Sequence, residues 1–535
     1  MRHSTAALAF VLVGCRATKP HLGFVLFDDL GFDDFYHSGD LAAAWPATSK
    51  LAESSCVSVA HYYTQPVCTP TRSAFMTGRY PIRYGLQHKV IAGAQPYGLP
   101  LDEATLSEKL KGAGYATVGI GKWHLGIYMN ASLPTRRGFD HWYGFWQGGE
   151  THLTHVFPPV DGPGILDLND DEVIDRSQDG VYSAELFGMK AVQQIRQQAA
   201  EQPKVPLFLY LALQNVHNPL EAPEQYTARA ACADIPIADR KTFCGMAAAA
   251  DDVVFNVTRA FQRSFPDDDV VLVLGGDNGG IPGDGAAGSN CPDLSSASCL
   301  RGLKGTVYEG VRQNRDRGRG ALTRRGEGGL CFDSLMMRLF RVSLPRAQGI
   351  RNNALVCSDT LLPSARRGAS YTQGIIHVMD WHATFLELAG IGSAPSAKPL
   401  DGVSAWTALL TDGPSPRTEF LVNIDPVDPF GTNMTWAYRY RGCIGEPEAF
   451  CGDWKYIDTP VNASYYPPST HASSTAPGSR LALQAPTGLI ESSGWQPAPP
   501  GERERARMNE PDRVRSCAGS PHRAQPCRRP VQPDS

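Results

Sequence analysis

The chain lacks an apolar run long enough to cross a bilayer. The stretch from Ala6 to Val13 falls well short of the roughly 20 residues that a spanning helix needs, and no later segment qualifies. It also lacks an excess of charge of either sign. Fifty Lys and Arg stand against 54 Asp and Glu, a net charge of −4, so no global basic field is present to hold nucleic acid. Charged residues are only 19% of the chain and hydrophobic ones 42%, the reverse of the balance that keeps a chain disordered. What is present is length: 535 residues exceed one ordinary domain and can bury a large core.

Thirteen cysteines behind a leading apolar stretch point to an oxidising compartment, and their odd number leaves at least one unpaired. Residues 1–19, with Arg2 and His3 ahead of Ala6 to Val13, read as a signal peptide, so entry into the secretory pathway is expected, with a lysosomal or extracellular end point. Leu12-Val13-Gly14-Cys15 also resembles a bacterial lipoprotein cleavage box, which leaves lipid anchoring open. Four sequons, at Asn130, Asn256, Asn433 and Asn462, would be glycosylated on a eukaryotic secretory route.

Alternating strand and helix signals dominate the first three hundred residues. Leu22 to Phe27 is a nearly continuous apolar run that ends in Asp28-Asp29, which predicts a buried parallel strand delivering two carboxylates at its C-terminal end. Ala104 to Ala113 has helical spacing and stops at Gly114, and Tyr115 to Ile120 reads as a strand. Tyr182 to Ala200 predicts a long helix, Val205 to Ala212 a strand and Met246 to Phe261 a helix. Val270 to Leu274 predicts a further strand that runs into Asp277-Asn278. The expected fold is α/β, a largely parallel central sheet between helices, with a smaller C-terminal α+β region over 426–500. In such sheets the polar residues after the strands converge on one crevice, and here they are Asp28, Asp29, Lys122, His124, His217, Asp277 and Asn278.

Two stretches break the alternation. Residues 313–369 open with an Arg/Gly-rich run and carry no sustained period, so they read as an insert outside the catalytic domain that spans 20–425. A disordered loop and an error in the gene model both fit that reading. The Arg/Pro-rich tail, 501–535, reads as disordered or wrongly predicted from the gene.

The chemistry is signalled by Cys68-Thr69-Pro70-Thr71-Arg72 followed by Gly78-Arg79-Tyr80. With Gly121-Lys122-Trp123-His124-Leu125-Gly126, Val216-His217-Asn218-Pro219, Asp277-Asn278-Gly279-Gly280 and Leu303-Lys304-Gly305, this resembles the sulfatase family, most closely its arylsulfatase B-like branch. The resemblance covers roughly 20–312 and 374–428 in order and fades after Asn433.

It implies an alkaline-phosphatase-like fold and hydrolysis of sulfate esters, on a sulfated small molecule or glycan. It implies that a formylglycine-generating enzyme oxidises Cys68 to formylglycine, whose hydrate attacks sulfur with one hydroxyl and expels sulfate by collapse of the other. Asp28, Asp29, Asp277 and Asn278, with residue 68, would hold one cation; their hard oxygens suit Ca²⁺, or less well Mg²⁺. By the same resemblance Lys122 and Lys304 contact the sulfate, and Arg72 fixes residue 68 and the metal site. His124 assists regeneration of the aldehyde, and His217 protonates the leaving alcohol. Lys122 and His124, two apart, are expected to point to one side of an extended segment. Cys232 with Cys244, Cys291 with Cys299, and Cys443 with Cys451 are local disulfide candidates. A phosphodiester or phosphonate hydrolase of the same superfamily, and a non-catalytic binding homologue, remain alternatives.

Overall fold

Both faces of the central strands are apolar because both are covered. In the strand His21–Phe27 (β1), Leu22, Phe24 and Leu26 enter one core and Val25 and Phe27 the other, as the two-residue period of a strand requires. Fully burying side chains of this size contributes roughly 1.5–3 kcal/mol each.

The computed structural model describes residues 19–37, 39–93, 95–157, 164–281, 288, 304–305, 350–392, 398–424, 436–443 and 451–458. After β1 come α1 (Pro46–Ser55), β2 (Cys56–Tyr63), α2 (Cys68–Thr77), α3 (Leu106–Gly112), β3 (Ala116–Lys122) and β4 (His141–Phe145). Four two-residue strands follow: β5 (Val156–Phe157), β6 (Ile165–Leu166), β7 (Asn169–Asp170) and β8 (Val173–Ile174). Then come α4 (Ser183–Glu201), β9 (Leu207–Ala212), α5 (Glu224–Thr227), α6 (Ala230–Ala233), α7 (Ala238–Ser264) and β10 (Val270–Gly276). The described chain resumes with β11 (Arg351–Cys357), β12 (Ser370–Tyr371), β13 (Ile376–His377), α8 (Val378–Leu388) and α9 (Trp406–Thr411). It ends in β14 (Glu419–Ile424), β15 (Trp436–Cys443) and β16 (Cys451–Asp458).

The main sheet runs β12-β2-β11-β10-β1-β9-β3-β4-β7-β8, with β13 also on β2. Its centre, β10-β1-β9-β3-β4, is parallel throughout, as the sequence predicts. The core on one face takes Phe187 and Ile195 of α4 and Phe243 and Phe261 of α7. The core on the other takes Phe75 of α2, Leu106 and Leu110 of α3, and Trp381 and Phe385 of α8. Local chemistry sets the helix ends: Thr105 caps α3 in a reciprocal box with Glu108, and Gly78 ends α2 in the left-handed conformation (φ 69°). Helix α7 begins eight residues before the predicted Met246, because Phe243 is buried and Cys244 is bonded to Cys232.

The expectation that 313–369 lies outside the core fails from Ile350 onward. Arg351–Cys357 is a sheet strand, antiparallel to both β10 and β2, with six of its seven residues buried. A Cys56–Cys357 disulfide joins the facing ends of β2 and β11, a pairing across 301 residues that no local spacing reveals. Strand β11 is hard to read because Arg351-Asn352-Asn353 put polar groups on a buried strand. Residues 313–349 lie outside the described residues, as do the leader, Cys291, Cys299, Asn433, Asn462 and the tail.

Cys443 and Cys451 are register partners in β15 and β16, whose side chains are not described. The small antiparallel sheet starts at Glu419, ahead of the expected boundary at 426. Phe420 anchors it, packed at a tilt against the rings of Tyr63 (4.9 Å) and His377 (5.1 Å). Arg417, just before it, makes a two-point ion pair with Asp380 at 2.7 and 2.6 Å.

Candidate active site

The parallel register of β1 and β10 pairs Phe27 with Gly276, so the next residues, Asp28 and Asp277, leave the sheet side by side. The amide of Asp277 donates to the Phe27 carbonyl at 2.9 Å, and the amide of Asp29 to Asp277 Oδ1 at 3.2 Å. Asp29 adopts a left-handed backbone (φ 59°), which a short polar side chain tolerates. From beyond β9, Asn215 accepts from the amide of Asp28 at 3.0 Å, and the Asp28 carbonyl accepts from Val216 at 2.7 Å. The carboxyl ends of three adjacent strands are thus tied together by backbone.

Cys68 is the first residue of α2, every residue of which is buried. Pro70 sits in the first turn, where an amide has no intrahelical partner to lose. Arg72 lies four residues on, over the same face. Its guanidinium reaches Asp277 Oδ2 at 2.9 and 3.2 Å, the Lys122 carbonyl at 3.1 Å and Asp28 Oδ2 at 3.4 Å. The motif's threonines fix the surroundings: Thr69 donates to the His124 carbonyl at 3.0 Å, and Thr71 accepts from the amide of Gln65 at 2.9 Å. Cys68 Sγ stands 3.5 Å from Asp28 Oδ1.

Lys122 ends β3 with its ammonium 2.6 Å from Asp28 Oδ2. The expected alternation with His124 does not hold, because the chain turns at His124 into a left-handed conformation (φ 58°). His124 reaches the site through that turn: its Nε2 donates to the Ile91 carbonyl at 2.9 Å, and its buried Nδ1 has no partner. His217 follows β9, with Nε2 3.6 Å from Asp29 Oδ2 and Nδ1 donating to the Asn218 carbonyl at 2.6 Å. Lys304 pairs with Asp29 Oδ1 at 2.6 Å. A cavity of about 530 Å³ brings together Cys68, His124, His217 and Lys304 under an apolar wall that includes Val90, Ile91 and Phe157. Every residue expected at the site is therefore found in one cluster.

Charge is crowded here. Burial alone would raise the Asp28 carboxyl, but Lys122, His217, Arg72 and Lys304 hold it well below its usual range. Asp277 is pushed up to about 7 by burial and the neighbouring Asp28, against the pull of Arg72 and Lys122. Burial raises the Cys68 thiol to about 12. Burial, then Lys122 and Arg72, keep His124 neutral. Burial and Lys304 lower His217, against Asp29 and Asp28.

The carboxylates of Asp28 and Asp29 and the amide oxygen of Asn278 are hard oxygens suited to a cation. Ligand atoms of Asp28, Asp29, Cys68 and His217 lie within 4.8 Å of one another. Asn278 donates its Nδ2 to Asp29 Oδ1 at 2.7 Å, while its Oδ1 is buried without a hydrogen-bond partner, an acceptor left for a cation.

One supporting residue escaped the sequence. Asn352, at the start of β11, donates to the Asn278 carbonyl at 2.7 Å. Nothing local in an Asn-Asn pair within an irregular stretch marks it. The only trace is Gly276, where a Cβ would lie 2.4 Å from Asn352 Oδ1.

Comparison with known proteins agrees with this geometry. The chain is 36% identical over 428 residues to arylsulfatase J of Mus musculus, covering 79% of this chain and 61% of that protein. It is 30% identical over 236 residues to an arylsulfatase of Klebsiella aerogenes, 42% of this chain and 49% of that one. The chain thus spans less than two thirds of either relative. Among solved structures, Ps i-CgsB in complex with k-i-k-neocarrahexaose superposes with a TM-score of 0.61 at 24% identity, covering 82% of this chain and 84% of that one. The PsFucS1 sulfatase from Pseudoalteromonas sp. superposes with a TM-score of 0.57 at 20% identity over 83% and 82%. These likenesses are of fold, the expected alkaline-phosphatase-like one. The sulfatase family model matches residues 20–391, from the start of β1 through the end of α8, and the chain belongs to the sulfatase family.

Proposed function

We propose that the protein hydrolyses sulfate esters through a formylglycine made from Cys68, with sulfated sugars as the substrate class. The observation that carries this reading is the state of Cys68. A thiol 1% exposed and raised to about 12 is no nucleophile near neutral pH, yet it shares a cavity with two histidines and Lys304. As the hydrate of an aldehyde, the same position offers two hydroxyls on one carbon, one to attack sulfur and one to expel sulfate. Because Cys68 is buried once α2 has formed, the maturation enzyme must meet this segment before it folds.

Asp28, Asp29, Asp277, Asn278 and residue 68 would hold the cation, Ca²⁺ by the preference of this oxygen set; when bound it offsets charge on the sulfate oxygens. Lys122 and Lys304 supply positive charge to the same oxygens, and Arg72 holds Asp28 and Asp277 in register with the helix. His217 donates Nδ1–H to Asn218 and presents Nε2 to the leaving oxygen, so it gives that oxygen a proton from its imidazolium form, whose charge Asp29 and Asp28 favour. His124, neutral and with Nδ1 unpartnered, is placed to take the proton released as the aldehyde re-forms.

The glycan class is supported by relatives such as N-acetylgalactosamine-6-sulfatase of Mus musculus, 28% identical over 326 residues. Two disulfides, Cys56–Cys357 and Cys232–Cys244, support maturation in an oxidising, secretory compartment. Among the described residues no helix is long and apolar enough to cross a membrane.

The test is co-expression with and without a formylglycine-generating enzyme. Mass spectrometry of the peptide holding residue 68 is read beside turnover of an aryl sulfate and an aryl phosphate diester. Sulfate turnover that scales with conversion supports the reading. Faster diester turnover would move the activity to phosphodiesters, and converted protein that turns over neither would make it a binding homologue.

A further inference from the structure

We infer that His152 is a positioning residue for His217, holding the proton donor's backbone so that its imidazole faces the leaving oxygen. This rests on the sulfatase reading above. His152 is fully buried and lies in the segment after Gly148 and Gly149, which line the catalytic cavity. Its Nε2 is 3.1 Å from the His217 carbonyl and its Nδ1 2.7 Å from Ser183 Oγ. Gln214 Nε2, an amide donor, also lies 3.1 Å from His152 Nε2; the bond to the His217 carbonyl, which only accepts, requires the proton on Nε2, with Nδ1 accepting from the Ser183 hydroxyl. Burial holds the ring neutral, down to about 4, so it carries a single N–H at working pH.

Neighbouring groups pack this ring from several sides. Ser183 is the first residue of α4, and its amide donates to the His152 carbonyl at 2.8 Å. Tyr182 stacks on the imidazole at 5.5 Å, and its hydroxyl accepts from Asn215 Nδ2 at 3.1 Å. Gln214 Oε1 accepts from the amide of Glu150 at 3.0 Å, tying the same loop to the strand end that carries His217.

His217 is therefore held at four points: its amide on Gln214 O at 2.8 Å, its Nδ1 on Asn218 O, its Nε2 3.6 Å from Asp29 Oδ2, and its carbonyl on His152. Its amide and Nδ1 are held from within its own loop. The carbonyl is held from another element, α4, through His152. Losing it frees the loop to shift, and general-acid geometry tolerates little displacement.

The experiment uses the converted full-length enzyme and a series of aryl sulfates whose phenols span several pKa units. A good leaving group departs without help, whereas a poor one depends on the proton. His152→Phe keeps a ring against Tyr182 and removes both nitrogens. It should lower kcat about 10- to 100-fold for the poorest leaving groups and less than about 3-fold for the best, with KM little changed. His152→Gln, which can return an amide donor to the His217 carbonyl, should recover most of the loss. In a His217→Ala background His152→Phe should add no further leaving-group dependence, since both act on one proton transfer. Should His152→Phe fail to fold, Ser183→Ala, which withdraws the hydroxyl that fixes the tautomer, should give the same dependence more weakly.

A uniform fall in kcat across the series, or none, would overturn the proposal while leaving the sulfatase reading intact. Absence of sulfate turnover in fully converted wild-type enzyme would sink both.

Discussion

Asn352 donates its side-chain amide to the carbonyl of Asn278 at 2.7 Å, and through that bond an antiparallel strand supports the proposed cation site. The other end of the amide accepts from Asn353 N at 2.8 Å, so neither group is free to move. Gly276 leaves room for it, since any Cβ there would meet Asn352 at 2.4 Å.

Gly276→Ala and Asn352→Ala should therefore have a shared signature. Each should lower stability by about 1–3 kcal/mol, from a displaced or unmade buried hydrogen bond. Each should also weaken cation affinity about 10- to 100-fold, as loss of an outer-shell partner does. Calorimetric Ca²⁺ titration and thermal melts check this; unchanged affinity in both variants would show that Asn278 needs no support.

Removing the cation should destabilise the fold as well as stop turnover. A ligand that binds only the native state stabilises it by about 2.7 kcal/mol at a hundred times its Kd. Adding Ca²⁺ to chelated protein should raise Tm in wild type and much less in Asn278→Ala. An equal rise in both would place the binding elsewhere.

Cys68→Ala should fold like wild type and turn over nothing, because the side chain is a buried helix residue whose chemistry alone is lost. Cys68→Ser should retain a hydroxyl for attack but not the second one, so a sulfated protein should accumulate. Intact-mass measurement after incubation with substrate decides it; a Cys68→Ala enzyme as active as wild type would end the covalent mechanism.

The Cys56–Cys357 disulfide closes a separation of 301 residues. Its removal as a double Ser variant should cost about 2–5 kcal/mol by releasing that constraint on the unfolded chain. The 12-residue Cys232–Cys244 link should cost less. Denaturant melts of the two variants give the comparison.

Glu150 and His155 form a buried pair at 2.9 Å away from the cation site. Burial raises Glu150 from 4.5 to about 7, although His155 pulls it down. His155 is raised from 6.5 because Glu150 outweighs its own burial. Both folded-state values exceed the unfolded ones, so the native state holds extra protons. The stability this gives is full below about 4.5 for Glu150 and below 6.5 for His155. It is lost as pH rises through the folded values. Glu150→Gln should remove a decline of roughly 1–3 kcal/mol between pH 5 and 8. Thermal melts of both proteins across that range test the sign; a steeper decline in the variant would reverse it.

The sequence by itself determined the central strands, the long helices and the polar residues that the structure gathers in the candidate site. The reason is local. Leu22 to Phe27 and Val270 to Leu274 are apolar runs that can satisfy their burial only as covered strands, and the polar residues that end them have only the carboxyl edge to occupy. Cys68 to Arg72 is likewise legible, because its chemistry depends on spacing within one helical turn. Tertiary structure alone decided the rest. Strand β11 was illegible because its polar asparagines are satisfied by Asn278, Phe32 and each other, partners that sequence spacing does not supply. The Cys56–Cys357 bond exists because β2 and β11 are antiparallel neighbours, and His124 faces the cavity because the backbone turns there and does not extend. His152 was passed over for the same reason: its partner is a carbonyl 65 residues away, brought within reach only when β9 and α4 pack.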